Sequence, residues 1–318
     1  METYSTILEA VIPVYLLVAL GFWLRRRDIV SGTTESALFR LLINLWVPCL
    51  VVWVVARNPA FDNPANILWP PLTGFLCVAS GIGVSWIASS LFLKGHDLRT
   101  RRAFAYTTGV FNYGYIPIPL ITMLFGPETL GVLFVFNVGV EVGLWLFGMP
   151  MMAGSGSLKQ IIRKILNPPL VTLAVSVTLR ISGLGEKIPD PLWNLIGLLQ
   201  GCAIPIGILL VGMAMADHIA GVAEMKKPGP WMLSCVIRNG VMAALFLWVA
   251  RETRLTIELT TVLCIQAAMP TAVFPVVLAK HYGGDARMAT QIIFATSLLA
   301  FATTPLWLDL AFRILDGK

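Results

Sequence analysis

The 318-residue chain is 57% hydrophobic and only 13% charged, with a net charge of +6 and a mean hydropathy of +0.80. Soluble domains carry about 25% charged residues, so the composition excludes a soluble globular protein and points to an integral membrane protein. The positive balance does not imply nucleic acid, because the basic residues sit in short segments between apolar runs.

Ten apolar runs are predicted to be membrane-spanning helices, giving an all-α fold. In the first half they cover residues 5–24, 37–56, 70–93, 103–125 and 129–152, and in the second 168–182, 192–216, 231–250, 258–280 and 288–312. Each is near the ~20 residues needed to cross about 30 Å of hydrocarbon. No cleavable signal is expected at Met1-Glu2, which lacks a basic region and leads straight into a spanning run. The halves, 1–152 and 168–318, are joined by a loop at 153–167 that opens on Gly154-Ser155-Gly156-Ser157, a flexible composition. Cys49, Cys77, Cys202, Cys235 and Cys264 lie in apolar runs without a CxxC pair and read as small buried hydrophobes.

The loops set the expected orientation. The odd-numbered loops hold 15 of the 23 basic residues, from Arg25-Arg26-Arg27 through Lys94, Arg99, Arg101 and Arg102 to Lys226, Lys227 and Arg287. The even loops and the C-terminus, including Lys318, hold 7. The positive-inside rule makes the odd loops cytoplasmic and both termini non-cytoplasmic.

Two runs are interrupted by prolines. The first contains Asn112-Tyr113-Gly114-Tyr115-Ile116-Pro117-Ile118-Pro119, and the second Gln266-Ala267-Ala268-Met269-Pro270-Thr271-Ala272-Val273-Phe274-Pro275. A mid-helix proline removes a donor and clashes with the preceding turn. Backbone groups freed at membrane depth survive only where protein buries them or they line a wet cavity. The breaks occupy matching places: Pro48 lies 157 residues before Pro205, and Gly126 lies 157 before Gly283. Each broken run ends in an aromatic-Gly turn followed by Glu128 or Asp285. Five spans per half is an odd number, so the second copy must enter the membrane inverted, and paired broken helices mark a secondary transporter's binding site.

Asn112, Tyr113, Gln266 and Thr271 supply polar groups at the breaks, and the helix starts near Pro119 and Pro270 favour a carboxylate. Two ionisable residues lie near span centres, Glu141 and Arg238. Charges at that depth are costly and face a partner or a cavity. Glu141 reads either as a proton-coupling carboxylate or as an ion-pair partner of Arg238, and Arg238 either as an attractor of an anionic substrate or as the other half of that pair. Pairing is the favoured reading of the two. Gly139 and Gly143 flank Glu141 as a GxxxG suited to close helix packing. Asn44, Asn137 and Gln200 are weaker site candidates, more often interhelical contacts. No nucleotide loop, zinc motif or nucleophile elbow occurs, so neither an enzyme, a cofactor nor a metal is expected.

The stretch from Gln266 to Tyr282, QAAMPTAVFPVVLAKHY, resembles the signature of the auxin efflux carrier family. Asn112 with Pro119, Leu120 and the Phe125-Gly126 turn is similar to the family's other broken helix, and Pro48, Ala203-Ile204-Pro205 with Gly212, and Val236-Ile237-Arg238 with Gly240 extend the likeness. The resemblance implies a ten-helix fold like that of bile acid/sodium symporters. Spans 1, 2, 6 and 7 would form a dimerising scaffold, and spans 3–5 and 8–10 a moving transport domain. It implies a small organic anion, auxin-like, malate-like or malonate-like, bound at the helix crossing with Asn112 on its carboxylate, and a location in the bacterial inner membrane. An anion channel, or a proton- or sodium-coupled symporter, would use the same crossing. The long cytoplasmic loop of many plant members is missing, and Glu141 stands where those members tend to have an uncharged polar residue.

Overall fold

The computed structural model describes residues 4–153, 158–218 and 229–317. Met1, Glu2, the Gly154–Ser157 stretch, Lys226, Lys227 and Lys318 lie outside the described residues.

The first half begins with α1 (Tyr4–Arg26), followed by α2 (Gly32–Leu41) and α3 (Val47–Val55), which run together through a π-helical turn at Leu42–Trp46. α4 (Ala65–Phe92) precedes the first broken run, α5 (Leu98–Gly109) and α6 (Pro117–Leu124), and α7 (Pro127–Ala153) closes the half. α8 (Leu158–Ile165) connects to α9 (Pro168–Ile181), then α10 (Asp190–Gln200) and α11 (Ala203–His218). α12 (Pro230–Val236) and α13 (Ala243–Glu252) join through a second π-helical turn at Ile237–Met242. The second broken run is α14 (Ile257–Ala267) and α15 (Phe274–Tyr282), and α16 (Ala286–Asp316) ends the described chain.

All the regular structure among the described residues is helical. Six stretches are individually long and apolar enough to cross a membrane: 32–55, 65–92, 127–152, 190–217, 230–252 and 286–316. A seventh results if α8 and α9, bent by 66°, count together. The broken runs fall short of a continuous span because each half has only 8 to 12 residues.

Local chemistry explains the breaks. α5 and α14 start on side-chain caps, with Asp97 Oδ1 accepting the Thr100 N–H at 2.9 Å and Thr256 Oγ1 accepting that of Leu259 at 3.3 Å. Pro117 and Pro275 occupy the first turns of α6 and α15, where the missing donor costs nothing. After these helices the chain turns at Gly126 (φ 87°) and Gly283 (φ 76°), a left-handed geometry that disfavours any side chain.

The two breaks cross and bond to each other. The Asn112 N–H donates to the Pro270 carbonyl at 2.8 Å, and the Ala272 N–H donates to the Val110 carbonyl at 2.9 Å, an antiparallel bridge centred on Phe111 and Thr271. Other groups complete the accounting. Arg238 Nη2 donates to the carbonyls of Gln266 (3.0 Å) and Ala267 (3.4 Å), Thr304 Oγ1 to that of Ala268 (3.0 Å), and Asn137 Nδ2 to that of Tyr113 (3.0 Å).

Arg238 therefore serves the end of α14, where free carbonyls concentrate negative potential. Its guanidinium also lies 5.5 Å from the Phe111 ring centre and 5.1 Å from that of Phe246. The favoured ion pair with Glu141 is not formed: Arg238 is wholly buried at the crossing, and Glu141 takes its hydrogen bonds from Tyr113 and Trp145. Residue spacing along two different helices could not tell which neighbours each would meet.

Helix packing falls into two sets. α1 packs on α11, and α3 on α9 and α10. Separately, α4 packs on α5 and α7, α14 on α7 and α13, and α16 on α5, α12 and α15. α1 meets α6 and α16 across the sets, and α3 meets α7. Within the second set the expected GxxxG lets backbones touch: a Cβ on Gly139 would collide with the Pro71 carbonyl, and one on Gly143 would come within 3.1 Å of Val78 Cβ.

Gly139→Ala is expected to cost about 1–3 kcal/mol, the scale of overpacking against a neighbour that cannot move aside, read as a lower apparent Tm in detergent. Arg238→Ala should cost roughly 2–4 kcal/mol through lost carbonyl bonds and ring contacts. Because Arg238 and Glu141 do not pair, that cost should add to the effect of Glu141→Gln within about 0.5 kcal/mol. A coupling of several kcal/mol in the double variant would restore the ion pair.

Candidate functional site

On one side of the crossing lies a cavity of about 1020 Å³. Its walls come from α2 and its π-helical turn, the first break, α7, the α8–α9 bend, α11, and the second break with the start of α15. The lining is mainly apolar, as is usual of small-molecule sites with a few placed polar groups.

Those polar groups converge from α7 and the first break. Asn137, Glu141 and Trp145 stand four residues apart and so share one face of α7. Tyr113 Oη donates to Glu141 Oε1 at 2.7 Å, and Trp145 Nε1 donates to Glu141 Oε2 at 3.1 Å. The Phe274 ring meets that of Trp145 edge-on, with centres 5.2 Å apart. Lys164 Nζ lies 5.7 Å from the centre of the Trp145 ring. Lys164 and Arg40 are the basic residues of the lining, and Glu35 joins Glu141 as its second acidic residue. Glu35 faces Arg25, 3.6 Å away.

The residues singled out in the sequence divide between three places. Asn112, Tyr113, Pro119 and Glu141 line the large cavity. Asn112 Oδ1 lies 3.4 and 3.5 Å from the amides of Gly114 and Ile116, so its side chain folds over the start of its own break. Pro270 and Thr271 instead border a small void of about 20 Å³, which Asn112 also touches. Thr271 Oγ1 is paired with Thr296 Oγ1 at 2.7 Å. Gln266 and Arg238 reach neither cavity: both are wholly buried, and Gln266 contributes its carbonyl to the crossing.

Sequence reasoning missed Trp145, Phe274 and Lys164, and ranked Asn137 as a weaker candidate, more often an interhelical contact. The spacing 137–141–145 around a mid-span carboxylate was the available signal. Lys164 had none, because its place depends on the bend between α8 and α9.

The comparisons with known proteins agree with this architecture. A family model described as membrane transport protein matches residues 6–162 and 156–308. An uncharacterized transporter of Methanothermobacter thermautotrophicus is 23% identical over 307 residues, covering 94% of this chain and 96% of the relative. An uncharacterized transporter of Methanocaldococcus jannaschii is 22% identical, covering 94% and 97%. The uncharacterized transporter YfdV of Escherichia coli K12 is 21% identical, covering 93% and 95%. The family match spans nearly the whole chain, and with it the chain belongs to the membrane transport protein family, that of the auxin efflux carriers.

Proposed function

We propose that the protein is a secondary carrier of small organic anions, carboxylates of auxin-like or malate- and malonate-like kind, across the cytoplasmic membrane of a bacterium. The observation that carries this reading is the backbone bridge between two helix breaks at the wall of a large cavity. Breaks of this kind survive at membrane depth only where protein buries them or they line a wet cavity, and paired breaks are the mark of a secondary transporter's site.

The broken runs count as the fourth and ninth of ten spans in a 5+5 inverted repeat. Support comes from register: α5 and α6 begin 159 and 157 residues before α14 and α15. The left-handed glycines 126 and 283 follow at the same interval. The two packing sets are the scaffold (α1–α3 and α9–α11) and the transport domain (α4–α7 and α12–α16). The cavity lies between them, as elevator-type alternating access requires. Exposed Leu192, Leu195 and Leu198 on α10 suit a homodimer through the scaffold. The basic odd loops face the cytoplasm, and both termini lie outside it.

Asn112 contacts the substrate carboxylate through its amide, which lines the cavity. Its backbone N–H holds the crossing, so alanine there should spare the fold. Asn112→Ala should weaken carboxylate binding by about 1–3 kcal/mol, the cost of leaving a buried polar group unpaired, measured by the ligand-induced rise in Tm. Unchanged affinity in a folded variant would remove Asn112 from the site. In proteoliposomes, saturable counterflow of a bound carboxylate supports the carrier, and currents far above carrier turnover would make the protein a channel. Cysteines placed singly at Asn63 and Gly95, with the native five replaced, should be labelled by an impermeant reagent in intact cells at 63 and protected at 95. The reverse pattern inverts the orientation.

A further inference from the structure

The chemistry on the α7 side of the cavity is that of an acceptor. Glu141 brings a carboxylate to the lining, and each of its oxygens accepts a single hydrogen bond, from Tyr113 and from Trp145. A carboxylate offers about four lone-pair sites, so both oxygens retain capacity. One turn earlier, Asn137 Nδ2 donates to the Tyr113 carbonyl, and its Oδ1 is buried without a partner. That assignment is fixed, because a carbonyl partner requires the amide nitrogen to face it.

Among the described residues no cation pairs with Glu141, although Arg40 and Lys164 also line the cavity. Arg238, the other mid-span charge, is committed to α14. Lys164 is set against the Trp145 ring. Tyr113, Tyr115, Trp145 and Phe274 place aromatic rings in the same walls. A carboxylate beside aromatic faces is the environment that recognises an organic ammonium, through charge and through the ring quadrupoles. It repels a second carboxylate at the same spot.

We propose that Glu141, seconded by Asn137, forms a subsite for a protonated nitrogen on the substrate, so that the transported class is carboxylates that also bear an amine. This rests on the reading of the protein as a carboxylate carrier and narrows it: the carboxylate end faces Asn112, and the nitrogen faces α7.

Two matched pairs test this with the purified full-length protein: phenylalanine against 3-phenylpropionate, and aspartate against succinate. The members of each pair differ only in the amine. The amine-bearing member of at least one pair should bind at least tenfold more tightly than its parent, and Glu141→Gln should bring that ratio below threefold. The wild-type ratios decide the matter even if the variant fails to fold. If ligands bind but neither pair shows that preference for the amine, the subsite is overturned while the carboxylate carrier stands. The same result with affinity rising as pH falls would make Glu141 a proton site instead. If no member of either pair binds, the subsite is overturned, and if a wider panel of carboxylates also fails, so is the carrier reading.

Discussion

Two backbone hydrogen bonds between residues about 160 positions apart organise this protein. A helix that stops in the middle of a bilayer exposes amides and carbonyls that lipid cannot satisfy. Here each interrupted helix answers the other, Asn112 to Pro270 and Ala272 to Val110. Each break leaves backbone groups that the other satisfies, so the two depend on being correctly opposed. The remaining carbonyls draw Arg238, Thr304 and Asn137 from three further helices, tying the crossing into its surroundings.

Arg238 illustrates how a costly group can be structural without a counter-charge. A guanidinium away from water is expensive, yet this one lies at the carbonyl end of α14 and beside two phenylalanine rings. The π-helical turn that contains it widens the helix by one residue per turn and re-aims its side chains. That local irregularity and the broken helix opposite form one arrangement.

Much of the fold was legible because its main events are written in residues with strong backbone preferences. Pro117, Pro270 and Pro275 mark the breaks, and Gly126 and Gly283 the turns after them. These preferences act locally and need no knowledge of neighbours. The site was only partly legible, because a side chain's role depends on which helix it faces. Asn112, Tyr113 and Glu141 reach the cavity, but Gln266 and Thr271, equally polar and equally close to a break, face the packed interior. The Arg238–Glu141 pairing failed for the same reason. The π-helical turns at 42–46 and 237–242 were not read from the sequence, although the second holds Asn239-Gly240, both poor helix formers.

The bridge also separates two kinds of information at one residue. At position 112 the main chain builds the crossing while the residue also lines the cavity. Every amino acid except proline supplies the N–H that the crossing needs, so this position can change its chemistry without dismantling the architecture. Position 272 has the same property: its N–H serves the bridge, and its small side chain lines the cavity. The bridge itself thus makes no demand on the side chain at either of its two donor positions, and architecture and lining chemistry are set by different atoms of the same residues.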